Sequence, residues 1–118
     1  MLFTGLVSVN ASLELANIQL NDLQGFMVAV SLGRVRGDDV LLFHNTVYSK
    51  FGETANAGSG VGVSDTIYAS DVIDVEPNDE IVAFVSAHPF AAAGANLPAV
   101  NAYSNESMKL SVSIVSEV

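Results

Sequence analysis

The sequence predicts an all-β domain, and specifically a two-sheet antiparallel β-sandwich, from three observations. Apolar and polar residues alternate with a period of two in several segments, as they do in a strand that buries one face. Turns rich in Gly, Asn and Asp separate these segments, and no segment has the periodicity of a long amphipathic helix. We therefore expect one domain over residues 1–118, with roughly six to eight strands.

The alternation is clearest in three segments. The first begins near the N-terminus and has its apolar residues at Val7, Val9, Ala11, Leu13 and Leu15. The second follows an Asn21-Asp22 turn, has its apolar residues at Phe26, Val28, Val30 and Leu32, and is expected to end in a glycine-flanked turn over residues 33–39. The third closes the chain with Met108, Leu110, Val112 and Ile114, and we expect it to lie inside a sheet.

Two further strands are predicted at residues 40–43 and 81–85, where the chain is continuously apolar. A strand is apolar on both sides when both sides are covered, so we expect one side to face the core and the other a neighbouring subunit. Alternation resumes at Val61, Val63, Ile67 and Ala69, before a turn at Glu76-Pro77-Asn78-Asp79. Residues 52–62 and 88–105 are expected to form two long loops because they are rich in small, turn-forming residues.

Composition limits the classes of function. Apolar residues make up 50% of the chain and charged residues 14%, against about 25% in typical domains, so part of the exterior is expected to be hidden in a homo-oligomer. Thirteen carboxylates against four basic residues give a net charge of −9, which disfavours nucleic acid and anionic membranes as partners. The absence of cysteine excludes disulfides and thiolate sites, and the N-terminus does not have the pattern of a signal peptide.

Few residues are candidates for catalysis or metal binding. An enzyme would need His44 or His88 to converge with a carboxylate such as Asp65 or Asp71, and both histidines are more simply interpreted as structural. The acidic cluster does not have the spacing of an EF-hand loop and is predicted to be a solvated turn; it comprises Asp71, Asp74, Glu76, Asp79 and Glu80. We therefore predict no enzyme, and no catalytic, cofactor-binding or metal-binding residues.

Four segments, taken in order, resemble the jelly-roll trimers of the complement and tumour-necrosis-factor superfamily. They are residues 5–13, 26–30, 73–81 and 108–112. Asn78-Asp79 lies where the family has a Gly-Asp turn, and Ser107, Leu110 and Val112 lie near its closing strand pattern. Leu6 stands where the family has an aromatic residue. The resemblance implies a two-sheet jelly roll that forms a homotrimer and has no catalytic residues.

Free-standing domains of this family also occur as spike heads, fibre heads and capsid decorations of viruses. By this resemblance we expect a non-enzymatic viral capsid decoration or cement protein, located in the virion and bound to a major capsid protein or another virion protein. Loops 52–62 and 88–105 are the expected docking elements. The alternative is a receptor- or carbohydrate-binding module such as a fibre or spike head. The candidate trimer interface is aromatic and comprises Phe43, Tyr48, Phe84 and Tyr103.

Overall fold

Six strands make up the regular structure of the described part of the chain. The computed structural model describes residues 1–20, 24–51, 61–91 and 108–118, and of these only the backbone of residues 16–19 and 61–64. The strands are β1 Gly5–Leu20, β2 Gln24–Arg36, β3 Asp39–Phe51, β4 Val61–Val75, β5 Glu80–Ala91 and β6 Met108–Glu117. Within the same ranges there is no helix that could cross a membrane.

The strands form two three-stranded sheets, ordered β4-β1-β6 and β3-β2-β5, and every pairing is antiparallel. β1 pairs with β6, and β2 pairs with β5. Pairs that enclose one another along the chain in this way are typical of a jelly roll, in which a long antiparallel hairpin is folded over into two sheets. The predicted antiparallel β-sandwich is therefore confirmed.

The core lies between the two sheets and is built from the predicted alternating residues. One side chain in two on β1, β2 and β4 points inward, because successive residues of a strand face opposite sides of the sheet. The buried residues are Val7, Val9, Ala11, Leu13, Leu15, Leu20, Phe26, Val28, Val30, Leu32, Ile67, Ala69, Ile73 and Val75. Burial of apolar area on this scale is the main source of stability for such a domain.

The strands run further than the sequence pattern indicated. β2 continues past Gly33 to Arg36, so the turn expected over residues 33–39 is confined to Gly37 and Asp38. Gly37 has a φ of 61°, a left-handed conformation that glycine adopts without a steric penalty. The turn predicted over residues 76–79 is present, and Asn78 occupies the left-handed region there with a φ of 72°.

Two expectations about strand ends are corrected. β5 runs through His88 and Pro89 to Ala91, where a loop was expected from residue 88. Pro89 is tolerated because β5 is an edge strand, so a missing backbone N–H can face away from the sheet. Within the described ranges, β6 also lies at a sheet edge rather than inside a sheet, because β1 is its partner on one side only.

Parts of the predicted loops lie outside the described residues. The Asn21-Asp22 turn is among them, as are residues 52–60 and 92–107, while residues 61–62 belong to β4.

Candidate interaction surface

The outward side of the β3-β2-β5 sheet carries many of the exposed apolar side chains of the described residues. Strand pairing and the alternation of burial define its members, which we call the β3-β2-β5 outer face. They are Val40, Leu42, Asn45, Val47, Ser49 and Phe51 of β3, Gly25, Met27, Ala29, Ser31, Gly33 and Val35 of β2, and Glu80, Val82, Phe84, Ser86, His88 and Phe90 of β5. The only residues of this face that can carry a charge are Glu80 and His88.

Large side chains on this face are open to solvent. Leu42 is 59% exposed, Phe51 60%, Val47 52% and Phe84 45%. Scattered exposed apolar residues are ordinary on proteins, but here they are neighbours on three paired strands. A contiguous apolar patch of this kind is typical of a surface that another molecule covers.

Aromatic rings cover both glycines of this face. A methyl group at Gly25 would lie 2.7 Å from ring atoms of both Phe51 and Phe90, whose ring centroids are 5.2 Å apart. At Gly33 the nearest atom is a ring carbon of Phe84, at 3.1 Å. The flanking strands therefore lean their rings over the central strand, which fills the space that side chains on β2 would otherwise occupy.

The outward side of the other sheet, which we call the β4-β1-β6 outer face, is mostly polar. It carries Leu6, Ser8, Asn10, Ser12 and Glu14 of β1, Thr66, Tyr68, Ser70, Val72 and Asp74 of β4, and Lys109, Ser111, Ser113 and Ser116 of β6. Ser70 donates a hydrogen bond of 2.8 Å to the Asn10 side-chain oxygen. The two outer faces thus differ in chemistry although both belong to three-stranded sheets of similar length.

A second apolar surface lies at the β5–β6 side of the sandwich. Leu110, Val112 and Ile114 of β6 point to the same side as their buried neighbours on β1, yet they are 41%, 39% and 59% exposed. Contacts between the sheets run mainly through β3 with β4 and through β1, β2 and β4, away from this side. Among the described residues, the sandwich is therefore open where β6 faces β5.

The β3–β4 side is closed by a row of polar contacts. Arg34 donates to the Asp74 carboxylate at 3.0 Å, and Arg36 contacts both Glu76 and Asp79. Further along, the Tyr48 hydroxyl is hydrogen-bonded to Asp65, and His44 Nδ1 lies 3.7 Å from Asp71 Oδ2. Each pair joins one sheet to the other or to the turn between them.

Asp79 is the buried member of the acidic cluster, with a side chain 1% exposed. Arg36 binds both of its oxygens, through Nε at 2.9 Å and Nη2 at 2.7 Å, and the backbone N–H of Glu76 donates a third bond at 2.7 Å. These donors lower the pKa of Asp79 to about 2, the Arg36 hydrogen bonds being the largest cause, while Asp79 raises the pKa of Arg36. The prediction of a solvated turn is therefore wrong for Asp79.

The three predicted interface aromatics that the structure describes do not share one surface. Phe43 and Tyr48 are half-buried against the core, and Tyr48 packs on Phe26 with ring centroids 6.0 Å apart. Burial is the main cause that raises the pKa of Tyr48. Phe84 lies on the β3-β2-β5 outer face, and Tyr103 lies outside the described residues. Their role in a trimer stays a prediction.

His44 converges with one of the carboxylates weighed for catalysis. Its Nε2 lies 3.0 Å from Thr46 Oγ1, and the 3.7 Å from Nδ1 to Asp71 is longer than a hydrogen bond. Thr46 is two residues away on the same strand, so this arrangement is a local contact in the polar row of the β3–β4 side. His88 lies apart on the β3-β2-β5 outer face, and the described residues contain no group of three possible metal ligands.

Sequence reasoning missed most of the exposed face, including Met27, Val47, Phe51 and Phe90. The signal available in the sequence was the set of apolar residues on the non-core side of β3, which Asn45 and Ser49 interrupt; these are Val40, Leu42, Val47 and Phe51. A bulge hid that signal, because Phe43 is an extra residue between the pairs Leu32–His44 and Gly33–Leu42 and reverses the alternation.

Comparison of the chain with protein-family models and with curated proteins finds no match.

Proposed function

We propose that this chain is a non-enzymatic structural protein that works by burying the β3-β2-β5 outer face against protein. The observation that carries the proposal is the contiguous exposure of Leu42, Val47, Phe51 and Phe84 on one nearly uncharged outer face. On an acidic chain of net charge −9, this face can be approached by another protein with only Glu80 and His88 to desolvate.

More specifically, we propose that the chain is a decoration or cement protein on a viral capsid, and that a homotrimer is one state in which it assembles. The sequence resemblance to trimeric jelly rolls supports it, as does the shortage of charged residues. The test is co-sedimentation of the purified protein with capsid particles of the virus that encodes it. Binding that saturates at a fixed ratio of protein to capsid subunit would support this form. A gene that lies among cellular genes, with no capsid gene nearby, would count against it.

The proposal that this face is buried against protein is tested by the mass in solution, measured by light scattering during gel filtration across a dilution series. A mass that is a whole multiple of 12.3 kDa and falls only on strong dilution would support assembly. A mass of one chain throughout, together with no binding to the capsid particles, would contradict it.

Carbohydrate binding is a second candidate, and Tyr68 is the observation that favours it. Its side chain is 69% exposed on the β4-β1-β6 outer face, in a shallow depression shared with Asn10, Ser70, Lys109 and Ser111. An exposed aromatic ring beside amide and hydroxyl groups is a chemistry that can stack on and hydrogen-bond a sugar.

One thermal-shift experiment with a panel of oligosaccharides distinguishes the structural role from carbohydrate binding. Carbohydrate binding predicts that one sugar raises the Tm and that Tyr68→Ala abolishes the shift, while Val72→Ala on the same strand retains it. No shift with any sugar, or a shift that Tyr68→Ala retains, would contradict a sugar site at this depression.

A further inference from the structure

We infer that β6 pairs with β6 of a second copy of this chain, antiparallel and about a two-fold axis at Val112, so that two β4-β1-β6 sheets join into one sheet. The pairing uses a different surface from the β3-β2-β5 outer face and is independent of the proposed function. Three features of β6 support it: its unprotected edge, the apolar side chains beside that edge, and the symmetry of its sequence.

The first feature is the edge of β6. Among the described residues β1 is its only strand partner, so backbone N–H and C=O groups along its other edge have no described strand to pair with. The other edge strands are protected, because β3 and β4 meet across the closed side and β5 contains Pro89, which has no N–H to donate. β6 has no proline, and its only charged residues are Lys109 and Glu117 near its two ends. An extended strand is the partner that satisfies such a row of backbone groups.

The second feature is the apolar surface beside this edge. Leu110, Val112 and Ile114 face inward, and all three are exposed at the open β5–β6 side. On the opposite sheet, the inward residues of β5 along this side are half-buried; they are Ile81, Ala83, Val85 and Ala87. When the two-fold axis is perpendicular to the joined sheet, the open side of one copy faces the open side of the other. The pairing therefore covers apolar side chains as well as backbone groups.

The third feature is the order of residues in β6, which is nearly the same in both directions from Val112. Antiparallel pairing about this residue places Val112 opposite its own counterpart and Leu110 opposite Ile114 of the second copy, all on the inward side. On the outward side Ser111 lies opposite Ser113, and hydroxyl groups in such positions can hydrogen-bond across strands. Every residue of the segment therefore meets one of its own class. This self-complementarity favours a second copy over an unrelated strand, and the contact closes at two chains.

Charge and area are both compatible with a modest dimer. Lys109 and Glu117 lie toward opposite ends of β6, so the antiparallel arrangement brings charges of opposite sign to each end of the pair. The two strands overlap over residues 108–116, a length of about 30 Å, and an open side about 20 Å deep with its outer side chains gives roughly 600 Å² per copy. Stable interfaces bury about 600–1,000 Å² on each partner, so we expect a reversible dimer with a Kd on the order of 10 μM.

The geometry of the pair has a consequence for the β3-β2-β5 outer face. Because the two-fold axis is perpendicular to the joined sheet, both β3-β2-β5 sheets lie on the same side of it. The dimer therefore presents two of these outer faces in one direction. A partner surface that repeats at the same spacing would be bound through two linked contacts, which hold more tightly than one.

The first test places charges at the axis. Val112→Glu and Val112→Lys each bring two like charges together, so we expect each variant to raise the Kd about 100-fold, measured by light scattering across a dilution series. Mixing the two variants should restore the mass of two chains, because Glu then faces Lys. Val72→Glu is the matched control, since Val72 is an exposed valine on the other edge strand of the same sheet, and it should keep the wild-type mass. Circular dichroism and Tm establish that each variant is folded.

The register has its own test. The chain has no cysteine, so Val112→Cys supplies one thiol at the axis, within reach of its counterpart for a disulfide. Leu110→Cys is the control on the same strand, because two such residues would lie about 14 Å apart along the paired strands. Oxidation should join V112C chains and leave L110C chains separate. A mixture of L110C with Ile114→Cys should be joined, because these two positions lie opposite each other.

The outcomes distinguish the pairing from the proposed function. A mass of two chains that V112E and V112K each abolish, and that their mixture restores, would support the pairing. A wild-type mass of one chain at every concentration, a mass of three chains, or a dimer that V112E leaves intact would overturn it. Val47→Glu separates the two surfaces, because Val47 lies on the β3-β2-β5 outer face. An oligomer lost in V47E and kept in V112E would overturn the pairing and leave the proposed function standing.

Discussion

The two long sides of the sandwich are built differently. On the β3–β4 side, Arg34, Arg36, His44 and Tyr48 meet carboxylates across the gap between the sheets. On the β5–β6 side, the inward residues of β6 are apolar and exposed. One side is therefore completed by contacts within the chain, whereas the other has apolar area that no other part of the described chain covers.

The difference shows how one short chain divides its few charges. The arginines are concentrated on the closed side, where each contacts a carboxylate. The Asp79 carboxylate is buried, and removing one partner of such a pair is costly, so the Arg36–Asp79 contact strongly selects which elements meet. The open side and the β3-β2-β5 outer face have almost no charge, so they can be covered by protein without desolvating ions.

Among the substitutions that test the difference between the two sides, Asp79→Asn is one of the two that are expected to change the free energy of unfolding most. The amide offers one acceptor oxygen where three donors converge and sets its own N–H group against them, so we expect the free energy of unfolding at pH 7 to fall by about 2 kcal/mol, measured by urea denaturation. Asp74→Asn is the matched control, because that carboxylate is 69% exposed and pairs with Arg34. Its loss should stay below about 1 kcal/mol. Equal losses would show that burial of Asp79 is not what makes the contact important.

The next effect concerns one valine from the core and one from the open side. Val9 and Val112 are neighbours across β1 and β6 and face the same side, but Val9 is fully buried and Val112 is 39% exposed. We expect Val9→Ala to cost about 2 kcal/mol in urea denaturation, and Val112→Ala less than about 0.7 kcal/mol. A cost for V112A as large as that for V9A would mean that the open side is covered in solution.

The stabilisation that Asp79 contributes to the closed β3–β4 side is expected to depend on pH. The pKa of Asp79 is lowered from 3.8 to about 2 by folding, so its contribution is present above about pH 4 and is lost as the pH falls toward 2. The difference in unfolding free energy between wild type and D79N should therefore shrink over this interval. A difference that stayed constant down to pH 2 would contradict the lowered pKa.

The smallest expected effect is at the turn that carries Asp79. Asn78 adopts a left-handed φ of 72°, which Asn tolerates better than Ala and which Gly adopts freely. Asn78→Ala should lower the free energy of unfolding by about 1 kcal/mol, and Asn78→Gly should leave it nearly unchanged. Equal losses in both variants would point to the side chain of Asn78 rather than its backbone conformation.

Much of the fold was predictable from the sequence because it depends on local periodicity. The alternation at Val7 to Leu15 and at Phe26 to Leu32 placed the core residues correctly, and the turn at Pro77-Asn78 lies where its residues indicated. Strand ends were less predictable. β5 continues through Pro89 because an edge strand tolerates a missing N–H, and edge position is a property of the sheet rather than of the segment.

The sequence alone therefore determined the all-β class, the inward-facing residues and the surplus of apolar surface, since each follows from the order and number of residue types. Tertiary structure decided where that surplus lies. The bulge at Phe43 exchanges the faces of β3, and pairing with β2 and β5 then gathers Leu42, Val47 and Phe84 on one outer face. Strand register between distant segments also placed Asp79 beside Arg36, because a contact across 43 residues leaves no local pattern.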